Sequence, residues 1–248
     1  FRNFGWRRRH NRCQYCYAPK ATFAKREVFD APRLRAGVLA GIAKEAPEYA
    51  GRTITMSFTC DPYGRHDVEA MHTRRAIEIL HAAGVGVCII TKGGTRALRD
   101  GDLFAVEPWR EYKLDAFACS LTLRDEAMLA HIEPGAASYA DRLLALQWFH
   151  GERIPTWASL EPVIDPAQSL GILDDAMDVD LFKIGTLNYD AAAKLTDWKG
   201  FAAAAVEKLE RAGKFYYLKN DLVKLAGTVG GPHRLSLPQV EAGIWKTR

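Results

Sequence analysis

The chain has 248 residues, of which 48% are hydrophobic and 26% are charged, a composition typical of a folded globular protein with a large core. Lysine and arginine together number 34 and aspartate and glutamate 30, and the formal net charge of +4 is too small to indicate nucleic-acid binding by itself. No apolar run approaches about eighteen residues and no charged-then-apolar leader opens the chain, so neither a membrane span nor a signal peptide is predicted.

Segments with the patterns of strands and helices alternate after residue 52. Stretches rich in β-branched and apolar residues predict strands at 52–59, 85–91, 116–123, 155–160 and 179–184. Helical spacing of apolar residues predicts helices at 69–83, 139–150 and 201–212, and another around Leu34, Val38 and Ile42. Gly84 is expected to end the helix at 69–83, and Ser138 and Asp165 are expected to cap helix N-termini.

This alternation predicts parallel β/α units joined by right-handed crossovers. With a further strand expected near residues 1–6, the sequence predicts an α/β fold, a partial (β/α)6 barrel of parallel strands with outer helices, over residues 1–225. The segment 226–248 is rich in glycine and proline and is predicted to be an irregular C-terminal tail.

In parallel barrels the functional site lies at the C-terminal ends of the strands. The predicted strand ends are Thr59, Cys60, Asp61, Thr91, Lys92, Ser120, Thr122, Glu161, Gly185 and Asn188. Nearly all of these carry polar or reactive side chains, which a site requires and a purely structural edge does not.

The cysteines are Cys13, Cys16, Cys60, Cys88 and Cys119. Their odd number and wide spacing differ from a secreted disulfide framework and favour a reducing compartment, so a cytoplasmic location is expected. Two residues separate Cys13 from Cys16, a spacing that suits one metal ion, two irons of a cluster, or a redox-active dithiol. A structural zinc would need a second ligand pair at similar spacing, and the sequence has none.

The string Cys-Gln-Tyr-Cys-Tyr-Ala at 13–18 resembles the second half of the Cys-x3-Cys-x2-Cys signature of radical S-adenosylmethionine (SAM) enzymes. Further segments resemble the spore photoproduct lyase-like branch of that superfamily, in order at 57–63, 89–92, 120–123 and 133–136. The resemblance extends from residue 10 to residue 165 and is looser beyond.

The resemblance implies that Cys13 and Cys16 bind a [4Fe–4S] cluster and that SAM chelates the iron without a cysteine ligand. In that superfamily the reduced cluster passes an electron to SAM, which releases a 5′-deoxyadenosyl radical that abstracts hydrogen from the substrate. An electron donor such as a flavodoxin or ferredoxin is implied as a partner. The substrate is unknown, and a lyase or repair reaction on nucleic acid is one option within the branch.

The same resemblance implies SAM-binding roles for Tyr17 and Lys92, and Asp61, Ser120 and Arg142 are further candidates for binding SAM. It also implies that Cys60 donates hydrogen to a product radical, because a thiol S–H bond is weak. From the residues alone each has a structural alternative. Tyr17 would be a core aromatic, Asp61 a helix cap, Lys92 a lysine reaching the rim, Ser120 a partner of the backbone, Arg142 a solvent-facing arginine, and Cys60 an inert apolar residue.

The first cysteine of the signature is absent, because Arg9 stands four residues before Cys13 and a protonated guanidinium offers iron no lone pair. Three interpretations are open. The N-terminus, which begins with Phe1 rather than Met, belongs to a fragment or is altered; His10 supplies the ligand; or the chain is a catalytically degenerate barrel that binds metal or nucleic acid. A Cys-x2-Cys redox protein is a further alternative.

Overall fold

The computed structural model describes residues 11–16, 18–21, 23, 25, 36–56, 60–105, 114–187, 191–227 and 229–247. The strand expected near residues 1–6 lies outside these ranges. So do Arg9, His10, Tyr17, the strand end at 57–59 and Asn188.

Six strands of the described chain form one parallel sheet in the order β1-β2-β3-β4-β5-β6. They are β1 (Thr53–Met56), β2 (Gly86–Thr91), β3 (Ala116–Ser120), β4 (Thr156–Val163), β5 (Leu181–Thr186) and β6 (Phe215–Leu218). Each strand pairs with its neighbour in sequence, as expected for successive β/α units. Within the described residues β1 and β6 pair with one partner each, so the sheet is a partial barrel, and the predicted fold class is confirmed.

Helices connect the strands and cover one face of the sheet. They are α1 (Ala18–Ala21), α2 (Val38–Glu45), α3 (Asp67–Ala70), α4 (His72–Ala82), α5 (Gly101–Phe104), α6 (Glu126–Ile132), α7 (Tyr139–Gly151), α8 (Pro166–Asp175), α9 (Trp198–Arg211), α10 (Asn220–Ala226) and α11 (Leu237–Glu241). Short 3₁₀ turns lie at Ala46–Tyr49, Gly94–Asp100, Ala191–Lys194 and Ile244–Thr247. No helix in the described ranges has the length and apolarity that a membrane span requires.

Local sequence signals account for several of these boundaries. Ser138 accepts a hydrogen bond from the N–H of Asp141 (3.1 Å) at the start of α7. Asp165 accepts one from the N–H of Gln168 (3.1 Å) at the start of α8. Gly84 has a φ of 76° just after α4, a left-handed conformation that glycine adopts without strain. All three predicted helix boundaries are confirmed.

The two faces of the sheet pack differently. Side chains such as Ile89, Phe117 and Phe182 join the helices in the main core. The alternate positions face the concave side, where Ala118 and Trp157 pack with residues near the C-terminus. These C-terminal residues are Leu235, Val240 and Trp245, and together with the strands they close the bottom of the concave face.

The structure contains several elements that the sequence did not predict, and β6 and α11 are two of them. The strand β6 is only four residues long, with the sequence Phe-Tyr-Tyr-Leu. Its pairing with β5 is a long-range contact that a local pattern of this length does not predict. The segment expected to be an irregular tail contains α11, which begins at a Ser236–Gln239 capping box.

Candidate functional site

Cys13 and Cys16 lie on a turn just before α1, and both side chains are buried. The N–H of Cys16 donates to the carbonyl of Cys13 (3.2 Å), and the N–H of Ala18 donates to Cys16 Sγ (3.2 Å). An N–H donor stabilises a thiolate, which is the form of cysteine that binds metal. Neither cysteine forms a disulfide.

Backbone hydrogen bonds fix this cysteine turn to the C-terminal end of α6. Gln14 donates its N–H to the carbonyl of Ile132 (3.0 Å) and its side-chain amide to the carbonyl of His131 (2.9 Å). The N–H of Gly135 donates to the carbonyl of Asn11 (3.2 Å). The position of the two thiols is therefore set by a segment more than a hundred residues away in sequence.

Glu133 is the buried centre of the site, and its side chain is fully shielded from solvent. Its carboxylate accepts hydrogen bonds from the hydroxyl of Tyr15, the hydroxyl of Thr122 (3.0 Å) and the guanidinium of Arg142 (2.5 Å). Lys92 Nζ lies 3.9 Å from Glu133 Oε1. One carboxylate thus joins the cysteine turn to the ends of β2 and β3.

Arg142 is fully buried, which rules out the solvent-facing alternative. Besides Glu133, its guanidinium donates to the carbonyls of Ala137 (3.0 Å) and Ser120 (2.9 Å). Three separate segments are held by this one side chain.

The protonation states follow from these contacts. Burial alone would raise the pKa of Glu133, but the charges of Lys92 and Arg142 and the hydrogen bonds from Tyr15 and Arg142 outweigh it, and the pKa is lowered. Burial alone would lower the pKa of Arg142, but the Glu133 carboxylate raises it above its ordinary value. Burial, followed by the Glu133 charge, raises the pKa of Tyr15. The centre is therefore an ion pair with a neutral phenol donating to it.

Asp61 connects the cysteine turn to the sheet a second time, through hydrogen bonds to its carboxylate. Its carboxylate accepts hydrogen bonds from Asn11 Nδ2 (2.7 Å), the N–H of Tyr63 (2.9 Å), the hydroxyl of Thr91 (2.5 Å) and the N–H of Lys92 (2.7 Å). A carboxylate has about four lone-pair sites, and these four donors occupy them.

Lys92 and Ser120 lie at the ends of neighbouring strands. The side chain of Lys92 is 14% exposed, and its ammonium lies 5.8 Å from the centre of the Tyr15 ring. Ser120 is buried and pairs in register with Ser159 of β4. Asp61, Lys92, Ser120 and Arg142 thus belong to one connected group around the cysteine turn, although their roles stay predictions.

The remaining cysteines differ in environment. Cys60 is partly exposed, and its thiol lies 3.7 Å from the carbonyl of Asp61, which places it beside the site. The indole N–H of Trp157 lies 3.5 Å from Cys88 Sγ. Cys119 is fully buried, and burial raises the pKa of its thiol, so it is unreactive.

The donor set fits two irons of a cluster. Cys13 and Cys16 are buried thiols, and a hydrogen bond to sulfur of the kind seen at Cys16 is one of the ways proteins tune such clusters. Within the described ranges no group of three or more His, Cys, Asp or Glu side chains is arranged to hold a metal ion. A [4Fe–4S] cluster at this site would need a third protein ligand from residues outside those ranges.

Sequence reasoning assigned no role to Glu133, Asn11 or Thr122. Glu133 belongs to the motif at 133–136. It stands directly after a helix and before Pro134-Gly135, and this position is the sequence feature that could have identified it as a site residue. For Asn11 the sequence holds no comparable signal, because its partner Asp61 is distant in sequence, whereas Thr122 is one of the predicted strand-end residues.

No protein-family model and no curated protein matches the sequence. Three solved structures show what the fold is similar to. A mutant of spore photoproduct lyase matches over 86% of this chain and 74% of its own, with a TM-score of 0.61 and 16% identity. Another mutant of that enzyme, with bound AdoMet and dinucleoside spore photoproduct, matches over 84% and 60%, with a TM-score of 0.57 and 17% identity. Streptococcus suis SuiB bound to S-adenosylmethionine matches over 92% and 52%, with a TM-score of 0.63 and 9% identity.

The chain shares the fold of these proteins. This fold agrees with the partial β/α barrel that the sequence predicts. Because the identities are low, the similarity establishes the fold, and the activity needs its own argument.

Proposed function

We propose that this chain is a radical SAM enzyme in which Cys13, Cys16 and a third ligand from outside the described residues hold a [4Fe–4S] cluster. The observation that carries the proposal is the position of the cysteine turn. Hydrogen bonds from Tyr15 to Glu133 and from Asn11 to Asp61 attach it to the C-terminal ends of the strands. In β/α barrels that edge is where cofactors and substrates meet.

When bound, the cluster and SAM supply an electron and a carbon radical that removes hydrogen from the substrate. The residues of this chain orient SAM and exclude water. Lys92 is a partly exposed cation beside the cysteine turn, and we assign it a charge-assisted hydrogen bond to the SAM carboxylate. Ser120, on the adjacent strand, supplies a hydroxyl for the same molecule. Tyr17 stays a prediction from resemblance.

Asp61 and Arg142 were also candidates for binding SAM, but we assign them a positioning role. Four donors from the chain itself occupy the Asp61 carboxylate. Arg142 donates to Glu133 and to two carbonyls in a fully buried place. Such groups act on SAM through Lys92 and the cysteine turn.

We further propose that Cys60 donates a hydrogen atom to a substrate radical. Its partly exposed thiol lies next to Asp61 at the end of β1. Nucleic acid is the substrate class that we favour, because one of the structurally similar proteins holds a dinucleoside photoproduct. A flavodoxin or ferredoxin as electron donor and a cytoplasmic location complete the proposal.

The test is anaerobic reconstitution with iron and sulfide of the native chain and an Arg9→Cys variant, which restores the full three-cysteine signature. We expect Arg9→Cys to bind about four irons per chain and, after reduction, to convert SAM to 5′-deoxyadenosine. The native chain is expected to bind a cluster more weakly. Iron analysis, electron paramagnetic resonance and chromatography of the nucleoside products measure these outcomes.

Cys16→Ala is expected to abolish iron binding and SAM cleavage, whereas Cys88→Ala is the matched control. Cys88 packs with Trp157 on the concave face and not with the cysteine turn, so its variant should retain both properties. If neither the native chain nor Arg9→Cys binds a cluster, the degenerate barrel is the correct interpretation. A reversible Cys13–Cys16 disulfide without SAM cleavage would identify a redox protein instead.

A further inference from the structure

Lys183 is a lysine on the concave wall of the sheet, on the side away from the cysteine turn. In β4 and β6, Trp157 and Phe215 pair in register with Leu181. Two residues further along each strand, Ser159 and Tyr217 pair with Lys183. Because side chains alternate between faces with a period of two, Lys183 shares the concave face with Trp157.

The layer below Lys183 is apolar and closed. Trp157 and Leu181 pack there with Val240 and Trp245 from the C-terminal segment. The layer of Lys183 is polar and more open, since Lys183 and Tyr217 are each partly exposed. The concave face therefore has an apolar floor and a polar wall with an ammonium group at its edge.

The charge of Lys183 is not neutralised by an acid in the described part of the chain. Its ammonium lies 3.8 Å from the centre of the Trp157 ring. Burial lowers the pKa of Lys183 and the charge of Lys219 acts in the same direction, whereas Cys88, Glu161 and Glu241 act in the opposite direction. A cation in such a place gains from an anionic partner.

Glu161, an acid whose charge raises the pKa of Lys183, already has other partners. Its carboxylate accepts a hydrogen bond from the hydroxyl of Ser159 (2.9 Å) and lies 3.4 Å from Lys219 Nζ. Gly185 makes this second contact possible, because a Cβ there would lie 2.7 Å from Lys219 Cδ. Lys219 thus crosses β5 over Gly185 to pair with Glu161, which leaves Lys183 without an ion-pair partner among the described residues.

We propose that Lys183 binds an anionic group of the substrate, a phosphate or a carboxylate, with the Tyr217 hydroxyl as a neighbouring donor. This inference rests on the proposed function, because it names what the substrate carries into the barrel. The anion site itself depends on the chain alone, so it is measured without cluster or SAM.

The experiment titrates the whole chain, labelled with ¹⁵N at its six tryptophans, with methyl phosphate and separately with acetate. The indole N–H signal of Trp157, assigned from a Trp157→Phe variant, reports on binding because Lys183 lies over that ring. We expect a saturable shift with at least one of the two anions. Lys183→Arg should retain it, and Lys183→Met should weaken the affinity by about tenfold or more.

Lys208→Met is the matched control, because Lys208 pairs with Asp174 on the exposed outer surface, and its titration should match that of the native chain. A response to methyl phosphate alone identifies a phosphate-bearing substrate, and a response to acetate alone identifies a carboxylate. The proposal is overturned if neither anion shifts the signal or if Lys183→Met binds as well as the native chain. Failure of SAM cleavage with a normal titration would count against the proposed function only.

Discussion

Buried charged groups have different surroundings on the two sides of the sheet. Around the cysteine turn, the carboxylates of Glu133 and Asp61 and the guanidinium of Arg142 are each bonded to several groups of the chain. On the β4–β6 side, Lys183 has an aromatic ring beneath it and no acid of its own among the described residues. The first region therefore holds a fixed geometry, whereas the second leaves a cation available to an anionic group from outside the chain.

The largest expected effect is at the centre of the fixed region. Glu133→Gln removes the counter-charge of fully buried Arg142 and should lower the free energy of unfolding by about 3–5 kcal/mol. Urea unfolding followed by circular dichroism measures the loss. The matched control is Glu207→Gln, because Glu207 pairs with Arg211 on the exposed surface, where a loss below about 0.5 kcal/mol is expected. Equal losses of unfolding free energy in the two variants would show that the buried contacts of Glu133 stabilise the fold no more than a surface ion pair does.

The same pair should give a distinct pH dependence. The pKa of Glu133 is lower in the folded state than its ordinary value, so its ionisation contributes stability above the ordinary carboxyl pKa. That contribution is lost as the pH falls through the lowered folded pKa. The gap in unfolding free energy between the native chain and Glu133→Gln should therefore narrow on acidification. A gap that widens would contradict the assignment of an ionised Glu133.

Two glycines test whether the fixed region is stiffer than the β4–β6 wall. A Cβ at Gly93 would lie 2.6 Å from Tyr63 Cβ and 2.7 Å from the Tyr63 carbonyl, whereas one at Gly185 would lie 2.7 Å from the flexible end of Lys219. Gly93→Ala should therefore cost about 1–3 kcal/mol, and Gly185→Ala less than about 1 kcal/mol. Thermal or urea unfolding of both variants decides this. Similar losses would remove the difference in stiffness.

The fold was largely predictable because its signals are local. The apolar run of β2, the caps Ser138 and Asp165, and the glycine after α4 each depend on a few neighbouring residues. The strand β6 was not predictable in this way, because four aromatic and apolar residues become a strand only by pairing with β5. Local sequence patterns therefore determine the longer helices and strands, whereas a segment as short as β6 becomes a strand through its long-range pairing.

The site was predictable in its parts and not in its connections. Strand-end position and resemblance singled out Asp61, Lys92 and Ser120. The centre at Glu133 draws Tyr15, Thr122 and Arg142 from three further segments, and no spacing along the chain encodes that meeting. For Lys183, the concave face follows from strand register, which the sequence alone does not supply.

The hydrogen bond between Tyr15 of the cysteine turn and Glu133 is expected to contribute less to the free energy of unfolding than the Glu133–Arg142 ion pair does. Tyr15→Phe removes one hydrogen bond to a buried carboxylate and should cost about 1.5–3 kcal/mol at most. Because that bond holds the turn, the variant should also make the buried thiols of Cys13 and Cys16 react faster with a thiol reagent. Reaction rates of the native chain and the variant, with both turn cysteines identified by peptide mapping, measure this. Unchanged rates would mean that the hydrogen bonds of Gln14 and Asn11 fix the turn without that of Tyr15.

The smallest effect on stability is expected at Lys183, although that residue matters most for the proposed binding. Lys183→Met keeps an unbranched side chain over Trp157 and removes a charge that burial disfavours, so the unfolding free energy should change by less than about 0.5 kcal/mol or increase. The pKa of Lys183 is lower in the folded state, so its destabilising contribution is complete below that pKa and fades as the pH rises from it to the ordinary lysine value. Any stabilisation in Lys183→Met should fade over the same range in urea unfolding. A loss above about 2 kcal/mol would instead mean that Lys183 already has a partner within the chain, and both sides of the sheet would then be fixed scaffolds.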